Sequence, residues 1–152
     1  MRLVVQRVRS ADVRVDGQVV GQIERGLLVL LGAEKGDGLE GAEEAARKVA
    51  GMRVFEDPAG KMNLALADVG GAVLAVSQFT LAADLSRGRR PGFDRALPGE
   101  QAQPLYERFV AALRGLGVTV QTGTFGAMMD VTLVNEGPAT FILDIGAGSA
   151  AP

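Results

Sequence analysis

Gly26-Leu27-Leu28-Val29-Leu30-Leu31-Gly32 is the stretch on which the fold turns: five consecutive apolar residues held between two glycines. A strand with no polar face must be covered on both sides, so this run predicts a central strand in a sheet. Upstream, Leu3 to Ile23 reads as alternating runs, with Val13-Arg14-Val15 and Val19-Val20 joined by Asp16-Gly17, a strong hairpin signal. Downstream, Leu39 to Met52 sets Ala42, Ala45, Ala46 and Val49 at helical spacing among Glu43, Glu44, Arg47 and Lys48. That pattern predicts an amphipathic helix ending near Gly51.

Arg53-Val54-Phe55 predicts a short strand, and Asp57-Pro58-Ala59-Gly60 has the chemistry of a turn. Ala72 to Val76 is a second buried-strand run, which delivers Ser77-Gln78-Phe79-Thr80 at its C-terminal end. A long loop from Ala83 to Pro98 precedes a second helix over Gln101 to Leu116, with Leu105, Phe109, Ala112 and Leu113 on one stripe. Val118-Thr119-Val120, Met129 to Val134 and Ala139 to Ile145 complete the strands, the last two separated by Asn135-Glu136-Gly137-Pro138 as a turn. The expected fold class is α/β or α+β, a single strand-rich domain in β/β/α layers with seven or eight strands and two main helices. The domain is expected to span residues 1–145, with residues 146–152, small and uncharged, as a disordered tail.

The 152 residues include no histidine, cysteine or tryptophan. A Ser-His-Asp triad, a thiolate nucleophile, a disulfide and a zinc site built on nitrogen or sulfur are thereby excluded. Glu56 and Asp57 are too unspecific a pair to assign a metal, and no cofactor is expected. The net charge of −2 gives no mean field for polyanions, so an anionic partner must meet a local patch. Arg87, Arg89, Arg90 and Arg95 supply one, interleaved with Pro91, Gly92 and Phe93. This composition suits phosphate contacts beside a stacking surface, or a plain solvated loop. With no signal peptide and no apolar run of about 18 residues, the expected setting is the cytoplasm, without a membrane partner.

Three segments could carry chemistry. At Ser77-Gln78-Phe79-Thr80 a strand ends in a loop, which releases backbone N–H groups that can bind a developing oxyanion. Thr80 could be a nucleophile, but its base would have to be a carboxylate or one of three lysines, Lys35, Lys48 and Lys61. The plainer reading has Ser77 and Thr80 satisfying loop backbone groups. Gly137-Pro138 reads as a turn, or as a rigid backbone whose carbonyls accept from an ammonium group. Phe125, Gly126, Met128 and Met129 read as ordinary core or as a seat for a flat ring.

Gln6-Arg7-Val8, Gly60-Lys61-Met62-Asn63, Ser77-Gln78-Phe79-Thr80 and Asn135-Glu136-Gly137-Pro138-Ala139-Thr140 together resemble the D-aminoacyl-tRNA deacylase (D-tyrosyl-tRNA(Tyr) deacylase) family, over nearly all of residues 1–145. At Ala139 that family usually carries valine. The resemblance implies hydrolysis of the ester joining a D-amino acid, or mischarged glycine, to the terminal adenosine of tRNA. It implies a homodimer in which Gly137-Pro138, with a cis bond, enters the partner's pocket to meet the substrate amino group, braced across the interface by Arg7. It implies a pocket lined by Ser77, Gln78, Phe79 and Thr80, with Phe79, Phe125 and Met129 near the adenine. Arg87, Arg89 and Arg90 are the candidates for tRNA phosphates. The expected mechanism is attack by water, with the Phe79 and Thr80 N–H groups as oxyanion donors. Alternatives are a Thr80-dependent esterase or peptidase, and a non-enzymatic dimer that binds RNA ends.

Overall fold

The computed structural model describes residues 1–146. Strands β1 (Arg2–Val15), β2 (Gln18–Ile23) and β3 (Gly26–Gly32) come first, followed by helix α1 (Leu39–Gly51). A small hairpin, β4 (Phe55–Glu56) with β5 (Met62–Leu64), and a single-turn helix α2 (Leu66–Val69) precede β6 (Ala72–Ser77). A 3₁₀ turn (Phe79–Ala82), helix α3 (Gly99–Gly115), β7 (Thr119–Thr122) and β8 (Asp130–Asp144) complete the order. The main sheet runs β2-β1-β3-β6-β7, with β8 against β1. The parallel pairs β3/β6 and β6/β7 each require a crossover, and α1 and α3 lie in those two crossovers.

β1 organises the sheet through both of its edges. One edge pairs with β3 from Arg2 to Val8 and then with β2 from Ala11 to Val15, while β8 follows the other edge from Arg2 to Arg14. β2 thereby swings toward β7 and nearly closes the sheet into a barrel. A Cβ at Gly21 would lie 2.2 Å from the Thr122 carbonyl oxygen, so the closure needs glycine there.

Two cores result. Inside the barrel, Val8, Val13, Ile23, Leu28, Leu74 and Val76 pack together. On the outer face, Leu27, Val29, Val73 and Ala75 meet Ala45, Val49, Leu105, Phe109 and Leu113 of α1 and α3. Alternate residues of the Leu27–Leu31 run therefore enter different cores, which is why the run has no polar face. The alanines of α1 leave room for Phe109, which is fully buried.

The strand-rich α/β class is as expected, and the local readings shift in places. The predicted strand at Arg53-Val54-Phe55 forms only at Phe55–Glu56, as half of a hairpin whose second strand and following helix α2 carry too few residues to show a period. Both main helices are found, α3 starting at Gly99, two residues before the predicted start. Asn135-Glu136-Gly137-Pro138 does not separate two strands: β8 runs through it, and register shifts between Gln6 and Ser10 of β1 absorb the irregularity. Residues 147–152 of the expected tail lie outside the described residues.

Candidate active site

At the C-terminal end of β6 the chain leaves the sheet, and a cavity of about 790 Å³ opens there. Ser77, Gln78, Phe79 and Thr80 form one wall; Phe125, Gly126, Ala127, Met128 and Met129 form another; Phe93 and Ala96 to Gly99 close it from the Arg-bearing loop. Among the described residues, no Asp, Glu, Lys, Arg or Tyr lines it. The lysines that could have served Thr80 as a base are absent from its walls.

The Ser77–Thr80 segment is held from the backbone. The Gln78 N–H donates to the Leu31 carbonyl at 2.8 Å, which ties the strand end to β3, and the Leu81 N–H donates back to the Gln78 carbonyl at 3.2 Å. Phe79 and Thr80 open the 3₁₀ turn, and the first N–H groups of such a turn find no acceptor within it. The Gln78 amide donates from Nε2 to Thr80 Oγ1 at 2.5 Å. An amide donor leaves the hydroxyl polarised but cannot take its proton, so the contact positions Thr80 without activating it.

The opposite wall rests on α3. Phe125 packs against Tyr106 with ring centroids 5.8 Å apart, and the Tyr106 hydroxyl donates to the Ala75 carbonyl of β6 at 2.8 Å. Burial pushes the Tyr106 phenol up to about 12. Phe79 and Phe93 face each other at 5.1 Å, with planes inclined by 54°.

Gly137 and Pro138 stand elsewhere. Both are exposed and neither lines the cavity of its own chain; the peptide bond between them is cis. β1/β8 pairing sets Arg7 opposite the bulge, where it meets the elbow of its own chain. Its Nε donates to the Glu136 carbonyl at 3.1 Å and its Nη1 to the Val54 carbonyl at 2.6 Å. The Glu136 carboxylate sits among Arg7, Arg9 and Arg25 at 3.7, 3.8 and 4.0 Å. Asn135 completes the elbow by accepting from the Ala139 N–H at 2.8 Å and donating to its carbonyl at 3.1 Å. Ala139 is buried.

Arg87, Arg89 and Arg90 are exposed and do not line the cavity. Arg95, read with them as one cluster, is structural: its Nη2 reaches both Glu34 carboxylate oxygens at 3.0 and 2.9 Å, and its carbonyl accepts from the Lys35 N–H at 2.9 Å. The sequence reading missed the loop's contribution to the cavity. Ala96, Leu97 and Pro98 carry no functional side chain, and backbone tethers to residues 33–35, the Glu34–Ala96 bridge and the Leu97 N–H to the Ala33 carbonyl at 3.1 Å among them, bring them there. Among the described residues no helix is long and apolar enough to cross a membrane.

The chain is similar to known proteins over most of its length. A D-aminoacyl-tRNA deacylase of Symbiobacterium thermophilum is 59% identical over 144 residues, covering 95% of both chains. One from Geotalea uraniireducens is 58% identical, covering 95% of this chain and 93% of the relative. A solved structure described as c-Myc DNA Unwinding Element Binding Protein superposes with a TM-score of 0.89 at 40% identity, covering 95% of this chain and 98% of that one. Another, described as a probable eukaryotic D-amino acid tRNA deacylase, shares the fold with a TM-score of 0.82 at 20% identity, at the same coverage. The family model for D-Tyr-tRNA(Tyr) deacylase matches residues 4–144, and the chain belongs to that family.

Proposed function

We propose that this member of an ester-hydrolase family cleaves the ester of D-aminoacyl-tRNA and of mischarged glycyl-tRNA, releasing the free amino acid and tRNA. The observation that carries the reading is the cavity without an ionisable side chain, closed at one end by the opening N–H groups of a 3₁₀ turn. An aminoacyl ester is activated by its own α-ammonium group, so positioning and oxyanion donors suffice. The Phe79 and Thr80 N–H groups serve as those donors, each worth roughly 2.7–4 kcal/mol. A bound water attacks, and the 2′-hydroxyl of the terminal ribose relays its proton, accepting it as its own proton passes to the departing ester oxygen when the acyl C–O bond breaks. Ser77 and Gln78 line the seat; Phe79, Phe125 and Met129 hold the adenine. Arg87, Arg89 and Arg90 take phosphates of the tRNA end.

Stereochemical selection comes from a second copy of the chain. The exposure of Gly137 and Pro138, away from their own cavity, supports a homodimer in which each elbow enters the partner's cavity. Arg7 stiffens the elbow from its own side. Its carbonyls pin the substrate ammonium, leaving room at the α-carbon for hydrogen and one side-chain direction. An L-side chain strikes the elbow, and rejection by collision exceeds the ~1–3 kcal/mol that a missing methylene provides. Glycine has no side chain to reject and is hydrolysed with the D-substrates.

Incubation with D-tyrosyl-, L-tyrosyl- and glycyl-tRNA, scored for released amino acid, tests this directly. Release from the first and third, with the L-ester intact, is expected. Equal release from both tyrosyl esters, or full protection of glycyl-tRNA, overturns the elbow account.

A further inference from the structure

Resting on the assignment of the cavity to a terminal adenosine, we propose that the Asp84–Gly92 hairpin and Phe93, packed on Phe79, form a second nucleotide subsite. It takes the base and phosphate that precede that adenosine. The hairpin is a built feature. Its neck is closed by reciprocal backbone bonds, Asp84 N–H to the Gly92 carbonyl at 2.7 Å and Gly92 N–H to the Asp84 carbonyl at 2.9 Å. The Asp84 carboxylate turns inward on Ser86, accepting from its N–H at 2.8 Å and its hydroxyl at 2.6 Å.

Arg87, Arg89 and Arg90 occupy the far end of this hairpin, and none of the three makes an ion pair among the described residues. Arg95, three residues past the neck, is by contrast neutralised by Glu34. Three unpaired guanidinium groups within four positions repel one another, an arrangement that a bound polyanion relieves.

Phe93 follows the neck immediately and lines the cavity together with Phe79, so the ring pair stands between the cavity and the hairpin that carries the arginines. Two adjacent phenylalanines remain 56% and 38% exposed, an apolar surface that folding leaves uncovered. Aromatic faces beside arginines are how proteins hold single-stranded nucleic acid: the base stacks, and the phosphate meets the cation. A strand leaving the cavity would lay its next base on Phe93 and its phosphate among the arginines.

The test uses fluorescence anisotropy with a labelled single-stranded RNA ending in cytidine-cytidine-adenosine, and the same RNA abasic at the penultimate position. Wild-type protein is expected to lose about tenfold in affinity on the abasic strand. In Phe93→Leu, which keeps the apolar volume but has no ring, the abasic change costs under about twofold, and Phe93→Tyr restores the wild-type difference. Arg89→Ala with Arg90→Ala lowers the slope of log affinity against log salt by about 1.4, or ~0.7 for each phosphate that no longer meets a guanidinium. No binding, an affinity indifferent to the abasic site, or an equal loss in Phe93→Leu overturns the subsite, an equal loss pointing to another copy or partner over the rings. No ester is present, so a protein that binds but fails to hydrolyse D-tyrosyl-tRNA sinks the proposed function alone.

Discussion

At Thr80 the neighbour that matters is Gln78. Its amide donates to the hydroxyl and cannot serve as a base, and no lysine lines the cavity. Thr80→Ala keeps the main-chain N–H, so single-turnover deacylation of D-tyrosyl-tRNA is expected to fall by less than about a hundredfold. A drop near a million-fold, the scale of losing a covalent nucleophile, would restore Thr80 to that role. Tyr106 allows a direct measurement because it is the only tyrosine and the chain has no tryptophan. Its phenolate absorbance is expected to titrate near 12 in the folded protein rather than at the ordinary 10. The neutral phenol is the form the fold holds, so its contribution to stability is complete below pH 10 and is lost as pH rises through about 12. Tyr106→Phe is therefore expected to flatten the alkaline limb of a stability-against-pH curve measured by urea unfolding.

Among the elements, β8 shows how a strand can carry an irregular segment without ending. Its pairing with β1 continues on both sides of the elbow, so the backbone between is held at two ends and from beneath by Arg7 and Asn135. Gly137 has φ of +129°, a region that L side chains rarely adopt, and a Cβ there would sit 2.8 Å from Arg7 Nη2. Gly137→Ala is expected to cost about 1–3 kcal/mol in urea unfolding and to narrow the D- over L-tyrosyl-tRNA rate ratio. An alanine variant with unchanged stability and selectivity would show that the elbow has slack. In α3, Phe109 is fully buried against α1, and Phe109→Ala is expected to lower stability by about 3–5 kcal/mol.

For the whole molecule, the proposed dimer places a demand on the outer face of β8, where Val134 and Ile142 are 50% and 69% exposed. Ile142→Asp is expected to shift sedimentation from dimer to monomer and to abolish selective deacylation. A monomeric wild type with full selectivity would remove the partner's elbow from the mechanism. The amino-acid sequence by itself determined the central strand, both main helices and the opening hairpin. Those signals are local: periodicity, turn residues and the absence of any histidine or cysteine act within a few positions. It also showed that whatever chemistry occurs must come from the main chain, hydroxyls or charged groups. Tertiary structure alone decided that Asn135 to Pro138 is an elbow inside one strand, since the pairing that carries β8 past it comes from β1, more than a hundred residues away in sequence. It alone decided that Arg95 is paired while Arg87, Arg89 and Arg90 make no ion pair among the described residues, because Glu34 is brought to one of the four by the fold. It alone emptied the cavity of ionisable groups, since which side chains share a wall depends on long-range packing that no local pattern encodes.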